Sequence, residues 1–217
     1  MSNRTTLIVC SILLALLFLG SWIIYPMLPN PVASHWGANG EVNGYMSSFW
    51  GAFLIPLMTL GLFLLFWAIP NIDPLKANIA TFREIYNVFI LVFILYMAFI
   101  HGLTLAWNLG YTNFDMGQAI LVAAGLLFIF IGFLIGKAKR NFFIGIRTPW
   151  TLSSDTVWAK THQLGKVVFI ILGILTIFTA PLGQNGVWVF MAILLIGVFI
   201  PIVYSYVLWK RETTPQE

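Results

Sequence analysis

Residues 117–136 read GQAILVAAGLLFIFIGFLIG, a run of 20 residues that carries no charged side chain. A bilayer core about 30 Å thick is crossed by a helix of about 20 apolar residues. The run therefore has the length and the composition of a membrane-spanning helix. Five further runs of the same character lie outward from it, near residues 5–27, 49–70, 84–107, 164–181 and 186–209.

The composition of the whole chain agrees with six membrane spans. Of the 217 residues, 60% are hydrophobic and only 8% are charged, whereas a soluble domain carries about 25% charged residues. The lone cysteine, Cys10, lies inside the first run, which excludes a disulfide or a cysteine-based metal cluster within one chain. We predict an all-α, polytopic membrane protein with six transmembrane helices, forming a single integral membrane domain over residues 1–217.

The basic residues predict which way the helices run. Lys and Arg occur at the two termini and around the loops after the second and fourth runs. Basic residues accumulate on the cytoplasmic side of short loops, so we predict that both termini are cytoplasmic (N-in/C-in). The outer loop 28–48 then faces away from the cytoplasm and the inner loop 137–163 faces it. Because the bases are scattered instead of forming one stripe, we predict attraction to the lipid bilayer and no direct nucleic-acid binding.

The outer loop should be compact and ordered. Three prolines favour an extended exit from the first helix, and the glycines that follow permit tight turns. Such a loop displays one imidazole, one carboxylate and two aromatic rings, on His35, Trp36, Glu41 and Tyr45. The loop either recognises an extracellular partner or serves as a structured cap over the helices.

Metal-dependent hydrolysis is a weaker alternative. His35, Glu41, His101 and Asp115 fall on the same predicted side and are the candidate metal ligands. Three or four of them would have to converge, and neither an HExxH motif nor paired cysteines are present. No metal or other cofactor is predicted. His101 lies in the outward third of the third run, where we expect an interfacial position near water.

The inner loop contains a second ordered segment. Thr148-Pro149 favours an extended turn, and Ser153 or Ser154 is a suitable N-cap. Downstream, one helical face carries Val157, Trp158, Thr161, Leu164 and Val168. This pattern predicts a short interfacial amphipathic helix before the fifth span.

Two segments resemble a known family. IGIRTPWTLSSDTVWAKTHQLG (144–165), between the fourth and fifth runs, resembles the signature of the SdpI family of bacterial membrane proteins. LPNPVASHWGANGEVNGY (28–45) is similar to the Pro-rich, His-containing first-loop module found at the start of many of those proteins. Their order and spacing match, so the resemblance covers essentially the whole chain.

The resemblance implies a non-enzymatic, multi-pass protein of the bacterial plasma (inner) membrane. The best-understood members of the family are immunity proteins that protect against a secreted antimicrobial peptide, and some capture a transcriptional repressor at the membrane. The toxin-facing surface would then be the outer loop, with His35, Trp36, Asn39, Glu41 and Tyr45. The cytoplasmic motif, which would dock the repressor, comprises Arg147, Thr148, Pro149, Trp150, Thr151, Val157, Trp158, Thr161 and His162.

A transporter or exporter of a peptide or small amphiphile remains the alternative, and it predicts a polar cavity between the helices. The spans contain no carboxylate or arginine at their centres, which argues against a proton-coupled pump. Gly132 and Gly136 form a small-xxx-small pair, which predicts close packing of the fourth span against another helix.

Overall fold

Helices dominate the computed structural model, which describes residues 1–214. In chain order the elements are α1 (Asn3–Ile24), β1 (Val32–Trp36), β2 (Val42–Met46), α2 (Ser48–Ile72), α3 (Lys76–Ala80), α4 (Arg83–Asn108), α5 (Met116–Ile135), α6 (Pro149–Ser153), α7 (Asp155–Thr179) and α8 (Gln184–Thr213). Within this part of the chain, six helices, namely α1, α2, α4, α5, α7 and α8, are long and apolar enough to cross a membrane. The prediction of a polytopic, six-helix protein is confirmed; residues 215–217 of the predicted domain lie outside the described part.

The amphipathic segment is the beginning of α7 itself. Ser154 is the N-cap, and its Oγ accepts a hydrogen bond from the Val157 N–H at 3.2 Å. No proline or other break follows, so α7 continues from Asp155 into the membrane span. The short helix that precedes the fifth span is α6, which begins with a capping box formed by Thr148 and Thr151.

The long helices form two groups of three. In one group α1, α2 and α4 pack together, and in the other α7 lies between α5 and α8. Helices α5 and α7 approach most closely because glycines meet at their contact: a Cβ atom on Gly125 would lie 2.6 Å from the Gly173 carbonyl oxygen. The predicted glycine pair also faces α7, since a Cβ on Gly132 or Gly136 would contact Lys166.

The outer loop folds into a β-hairpin, which adds two short strands to the helical fold. Strands β1 and β2 are antiparallel, with Val32 opposite Met46 and Ala33 opposite Tyr45. Gly40 turns the chain with φ of +79°, a conformation that glycine adopts without strain. The hairpin lies at one end of the helices, which we call the hairpin end. The loop 137–148 lies at the other, the motif end, because it contacts the residues that connect α2 to α4.

Candidate functional site

Asn108, the last residue of α4, holds the hairpin against the helices. Its Oδ1 accepts from the Ala33 N–H at 2.7 Å, and its Nδ2 donates to the Ala33 carbonyl at 2.9 Å. Nearby, the Trp36 ring packs edge-on against Trp107, with 5.7 Å between ring centroids. Strand β1 is thus fixed to the end of α4 by two hydrogen bonds between the Asn108 side chain and the Ala33 backbone, and by an aromatic contact.

The same strand lies directly over α2. Val32 is buried, and a Cβ atom placed on Gly51 of α2 would overlap its side chain. Only glycine at this position lets the strand approach so closely. The hairpin therefore packs against α2 and α4, and side chains at its tip are exposed.

Four of the five residues predicted for the toxin-facing surface are exposed, and Trp36 is half-buried. Asn39 Nδ2 donates to Glu41 Oε2 at 2.7 Å, and His35 Nδ1 donates to Asn43 Oδ1. The Tyr45 side chain is 63% exposed. The surface of the hairpin thus carries a hydrogen-bonded amide–carboxylate pair, an oriented imidazole and an exposed phenol.

A cavity of about 400 Å³ lies beneath the hairpin. Strand β1 and the residues that follow it form one wall, and α2, α4, α5 and α8 form the others. Most of its lining is apolar, and the hydroxyl of Thr104 already donates to the Ile100 carbonyl. This cavity suits an apolar group and differs in character from the polar cavity that the exporter alternative predicts.

The candidate metal ligands are engaged separately. The Asp115 Oδ1 caps α5 by accepting from the Gln118 N–H at 2.9 Å, and His35 and Glu41 bond within the hairpin. Across residues 1–214, no group of three His, Cys, Asp or Glu side chains is placed to hold a metal ion. The geometry therefore does not assemble the site that metal-dependent hydrolysis requires.

The expectation that His101 lies near water is wrong. Its side chain is only 2% exposed, and its Nε2 lies 2.7 Å from the Oγ of Ser21 on α1. The hydrogen bond joins α1 to α4 across 80 positions of sequence. A polar partner on a neighbouring helix allows an imidazole to be buried in a membrane span, and the hydropathy of α4 alone does not reveal that partner.

Replacing Asn108 with Leu should release the hairpin. The Ala33 N–H and carbonyl would lose their partners, at a cost of about 2 kcal/mol in the local stability of the hairpin. Hydrogen–deuterium exchange at the Ala33 amide should then accelerate about thirtyfold. Asn113→Ala, which changes an exposed asparagine on the same side, is the matched control. Unchanged Ala33 exchange in Asn108→Leu would show that the hairpin is held by other contacts.

Asn141 shapes the loop at the motif end. It is fully buried, its Oδ1 accepts from the Phe143 and Ile144 N–H groups, and its Nδ2 donates to the carbonyls of Lys139 and Ile144. One side chain thus satisfies four backbone groups in a short irregular segment. The loop between α5 and α6 is consequently ordered without being helical.

Two residues from the α2–α4 connection bind this loop from the other helix group. Asp73 is buried, and its Oδ2 accepts from the Phe142 N–H at 2.8 Å. Asn78 Nδ2 donates to the Arg140 carbonyl at 2.7 Å. These bonds couple the α1–α2–α4 group to the α5–α7–α8 group at the motif end.

Trp158 and His162 form the centre of the motif. Their rings stack at 3.9 Å, and Trp158 Nε1 donates to the Ala138 carbonyl at 2.9 Å. His162 Nδ1 donates to the Trp158 carbonyl at 2.8 Å, and its Nε2 accepts from the Ile146 N–H at 3.1 Å. A ring that donates at one nitrogen and accepts at the other is neutral. It is a fixed structural element between α7 and the loop.

Most of the predicted cytoplasmic motif is buried. Arg147 and Pro149 are exposed and Trp150 is half-buried, whereas the buried members are Thr148, Thr151, Val157, Trp158, Thr161 and His162. The buried members hold the exposed ones in place; for example, the Thr148 Oγ1 lies 3.0 Å from the Ser205 Oγ on α8. Of the motif residues, the exposed ones are accessible to a partner, together with the neighbouring Phe142 and Phe143, which are also exposed.

Comparison with known proteins places both regions in a family context. The model of the SdpI/YfhL protein family matches residues 137–205. The chain is also 29% identical to Immunity protein SdpI of Bacillus subtilis (strain 168) over 206 aligned residues. The alignment covers 94% of this chain and 96% of that protein. Residues 137–205 therefore resemble the SdpI/YfhL family, and the chain as a whole is similar to Immunity protein SdpI. A domain of unknown function, DUF1648, matches residues 12–60, and no solved structure matches the chain.

The two matched regions include the two ends described above. The DUF1648 region contains the hairpin and its contact with α2, and the SdpI/YfhL region contains the motif-end loop, α6 and α7. Asp73 and Asn78 lie between the two regions, and no local sequence pattern singled them out. The sequence offered one signal for Asp73, a carboxylate just after the second apolar run, but it gave no indication of the partner.

Proposed function

We propose that the chain is an SdpI-like membrane immunity protein that protects against a secreted antimicrobial peptide and acts without enzymatic chemistry. The observation that carries this proposal is the similarity to Immunity protein SdpI, which extends over 94% of the chain. Because the aligned region includes both the hairpin and the motif end, the proposal assigns them the roles of toxin-facing surface and intracellular surface.

The hairpin suits recognition of a peptide that acts at the membrane surface. Its exposed Tyr45 is a large amphipathic side chain of the kind that dominates binding energies. Glu41, held by Asn39, offers a carboxylate to a cationic peptide. The contacts of the hairpin with α2 and α4 reduce the conformational entropy lost on binding a peptide, because the hairpin backbone is already ordered.

Expression in a sensitive strain, followed by challenge with candidate peptide toxins, tests the function. The wild-type chain should raise the inhibitory concentration of its cognate toxin, and Tyr45→Ala should remove about tenfold of that protection. Tyr111→Ala is the matched control, because Tyr111 is 69% exposed and precedes α5 on the same side as the hairpin. Equal protection by both variants would exclude the hairpin as the toxin-facing surface.

We further propose that the motif end binds a transcriptional repressor when the toxin is present. The exposed Arg147, whose Nη1 donates to the Phe142 carbonyl, and the adjacent Pro149 form the proposed docking surface. Transmission requires the toxin to favour one packing of the helices over another. Helix α4 joins the two ends, since Asn108 holds the hairpin and Asn78 precedes its first turn.

Arg147→Ala should impair signalling without impairing insertion. A photo-crosslinking residue at Pro149 should capture a repressor in toxin-treated cells, and Arg147→Ala should lower the yield about tenfold. Arg211→Ala, an exposed arginine near the end of α8, is the control. A crosslinking yield that does not change when toxin is added, or that does not change in Arg147→Ala, would contradict repressor docking at this surface.

Export of a peptide or small amphiphile, the alternative function, would need a polar cavity between the helices, whereas the cavity beneath the hairpin is mostly apolar. Uptake of labelled toxin into inverted membrane vesicles separates the two functions. An exporter should concentrate the toxin inside the vesicles, whereas an immunity receptor should bind it without net uptake.

A further inference from the structure

A second cavity, of about 510 Å³, opens at the motif end between the C-terminal end of α5 and the first turns of α7. In contrast to the cavity beneath the hairpin, its lining is polar and basic. Its charged and polar side chains are Lys137, Lys139 and Arg140 from the loop, Asn78 from α3, and Asp155, His162 and Gln163 from α7. Neither the family comparison nor the proposed repressor surface assigns a ligand to it.

The charge of this cavity is unbalanced. Its one carboxylate, Asp155, pairs with Arg140 at 2.8 Å between Oδ1 and Nε. Arg140 Nη2 also donates to Asp155 Oδ2 at 3.5 Å, and its Nη1 donates to the Leu152 carbonyl at 2.9 Å. His162 is neutral because both of its nitrogens are bonded within the protein.

Two ammonium groups remain available. The side chains of Lys137 and Lys139 are exposed, and neither forms an ion pair or hydrogen bond with any residue of 1–214. Because Arg140 is already matched by Asp155, the lysines leave the cavity with two uncompensated positive charges. A cavity of this charge attracts an anion that can accept several hydrogen bonds, such as a phosphate group.

The membrane side of the cavity is apolar. Phe133 lies in the last turn of α5, four residues before Lys137, and Val167 follows Gln163 by one turn on α7. Their side chains are 46% and 52% exposed. Lys166 extends over the Phe133 ring, with 5.8 Å between Nζ and the ring centroid. A basic polar cavity thus adjoins exposed apolar side chains on two of the helices that are long and apolar enough to cross a membrane.

We propose that this cavity binds the headgroup of an anionic glycerophospholipid. The phosphate lies between Lys137 and Lys139, and the acyl chains lie along Phe133 and Val167. Basic pockets at the interface between transmembrane helices bind anionic headgroups in this way. The lipid would brace the end of α5 against α7, next to the loop that carries the proposed repressor surface. The inference stands independently of the immunity function.

Thermal unfolding of the full-length, delipidated protein in a neutral detergent tests the site. Titration with phosphatidylglycerol should raise the melting temperature saturably, whereas phosphatidylcholine should not. Lys137→Gln combined with Lys139→Gln should raise the half-saturating concentration about tenfold, and the charge-reversed Lys137→Glu with Lys139→Glu should abolish the response. Both lysines are exposed and unbonded, so the lipid-free melting temperature should not change.

The control removes equal charge elsewhere. Lys210→Gln with Arg211→Gln, at the exposed C-terminal end of α8, should leave the titration unchanged. Inorganic phosphate and glycerol 3-phosphate form a third arm: saturation by either at the same concentration would identify a free-anion site and overturn the lipid assignment. Equal responses of wild type and Lys137→Gln/Lys139→Gln would also overturn it, as would no response to phosphatidylglycerol, which would leave an acidic protein partner as the occupant.

Discussion

Gly145→Ala should destabilise the protein by about 3 kcal/mol or more. Gly145 has a φ of +115°, and an alanine held there costs about 1–3 kcal/mol in backbone strain. The added Cβ would also overlap the His162 Nε2, the atom that accepts from the Ile146 N–H. His162 cannot move aside, because its ring stacks on Trp158 and its Nδ1 is bonded to the Trp158 carbonyl. Such overpacking adds about 1–3 kcal/mol.

Reversible unfolding in mixed detergent micelles, followed by tryptophan fluorescence, measures this loss. Gly110→Ala separates the two contributions, since Gly110 has a φ of +93° but no atom within 4 Å of the added Cβ. We expect the free energy of unfolding of this control to fall by about 1–2 kcal/mol, from the backbone strain alone. Equal losses in Gly145→Ala and Gly110→Ala would mean that contact with the His162 ring contributes nothing.

Gly173→Ala should separate α5 from α7 and cost about 3 kcal/mol. The new Cβ would overlap the Gly125 carbonyl oxygen and approach the Ile129 backbone nitrogen to 2.8 Å. These are backbone atoms of a regular helix, so no side-chain rotation relieves the overlap and the helices must move apart. The loss therefore extends along the α5–α7 contact, where close approach supplies much of the packing energy of membrane helices.

Gly61→Ala is the matched control for this substitution. Gly61 lies within α2, and a Cβ there meets no atom within 4 Å. Alanine is the better helix former, so the control should be stabilised by about 0.5–1 kcal/mol. The two glycine-to-alanine substitutions thus have opposite expected signs in the same unfolding assay. A stabilised Gly173→Ala would contradict the close approach of α5 and α7.

The helices could be predicted because each of their properties is local. Six apolar runs must each hydrogen-bond their own backbone in lipid, and a helix is the simple solution. Ser154, one of two predicted N-caps, does begin α7. The glycine pair at Gly132 and Gly136 indicated close packing, but the partner helix, α7, became known only from the structure.

The contacts between distant segments could not be predicted. Asp73 bonds Phe142, 69 positions away, and Asn78 bonds Arg140, 62 positions away. Nothing in the local pattern around these residues encodes a partner so far along the chain. The hairpin was missed because prolines, glycines and asparagines dominate residues 28–45, and because the register is irregular between Ala33 and Trp36, which obscures the alternation typical of strands.

The assignment of motif residues to a docking surface was too broad for a related reason. The amphipathic pattern indicated that Val157, Trp158 and Thr161 share one face, and the structure buries that face. Trp158 is buried and donates to a loop carbonyl, so it stabilises the loop but is not itself part of the exposed surface. The exposed part of the motif is consequently narrower than the sequence segment that resembles the family.

Sided cysteine labelling in intact cells measures whether the hairpin and the motif face opposite sides of the membrane, as the immunity proposal requires. In a Cys10→Ala background, Asn39→Cys and Ser153→Cys each introduce one thiol at an exposed position. A membrane-impermeant maleimide should label the Asn39→Cys variant in intact cells and the Ser153→Cys variant only after permeabilisation. Labelling of the Ser153→Cys variant in intact cells, or protection of the Asn39→Cys variant, would contradict the proposed topology and the roles assigned to both ends.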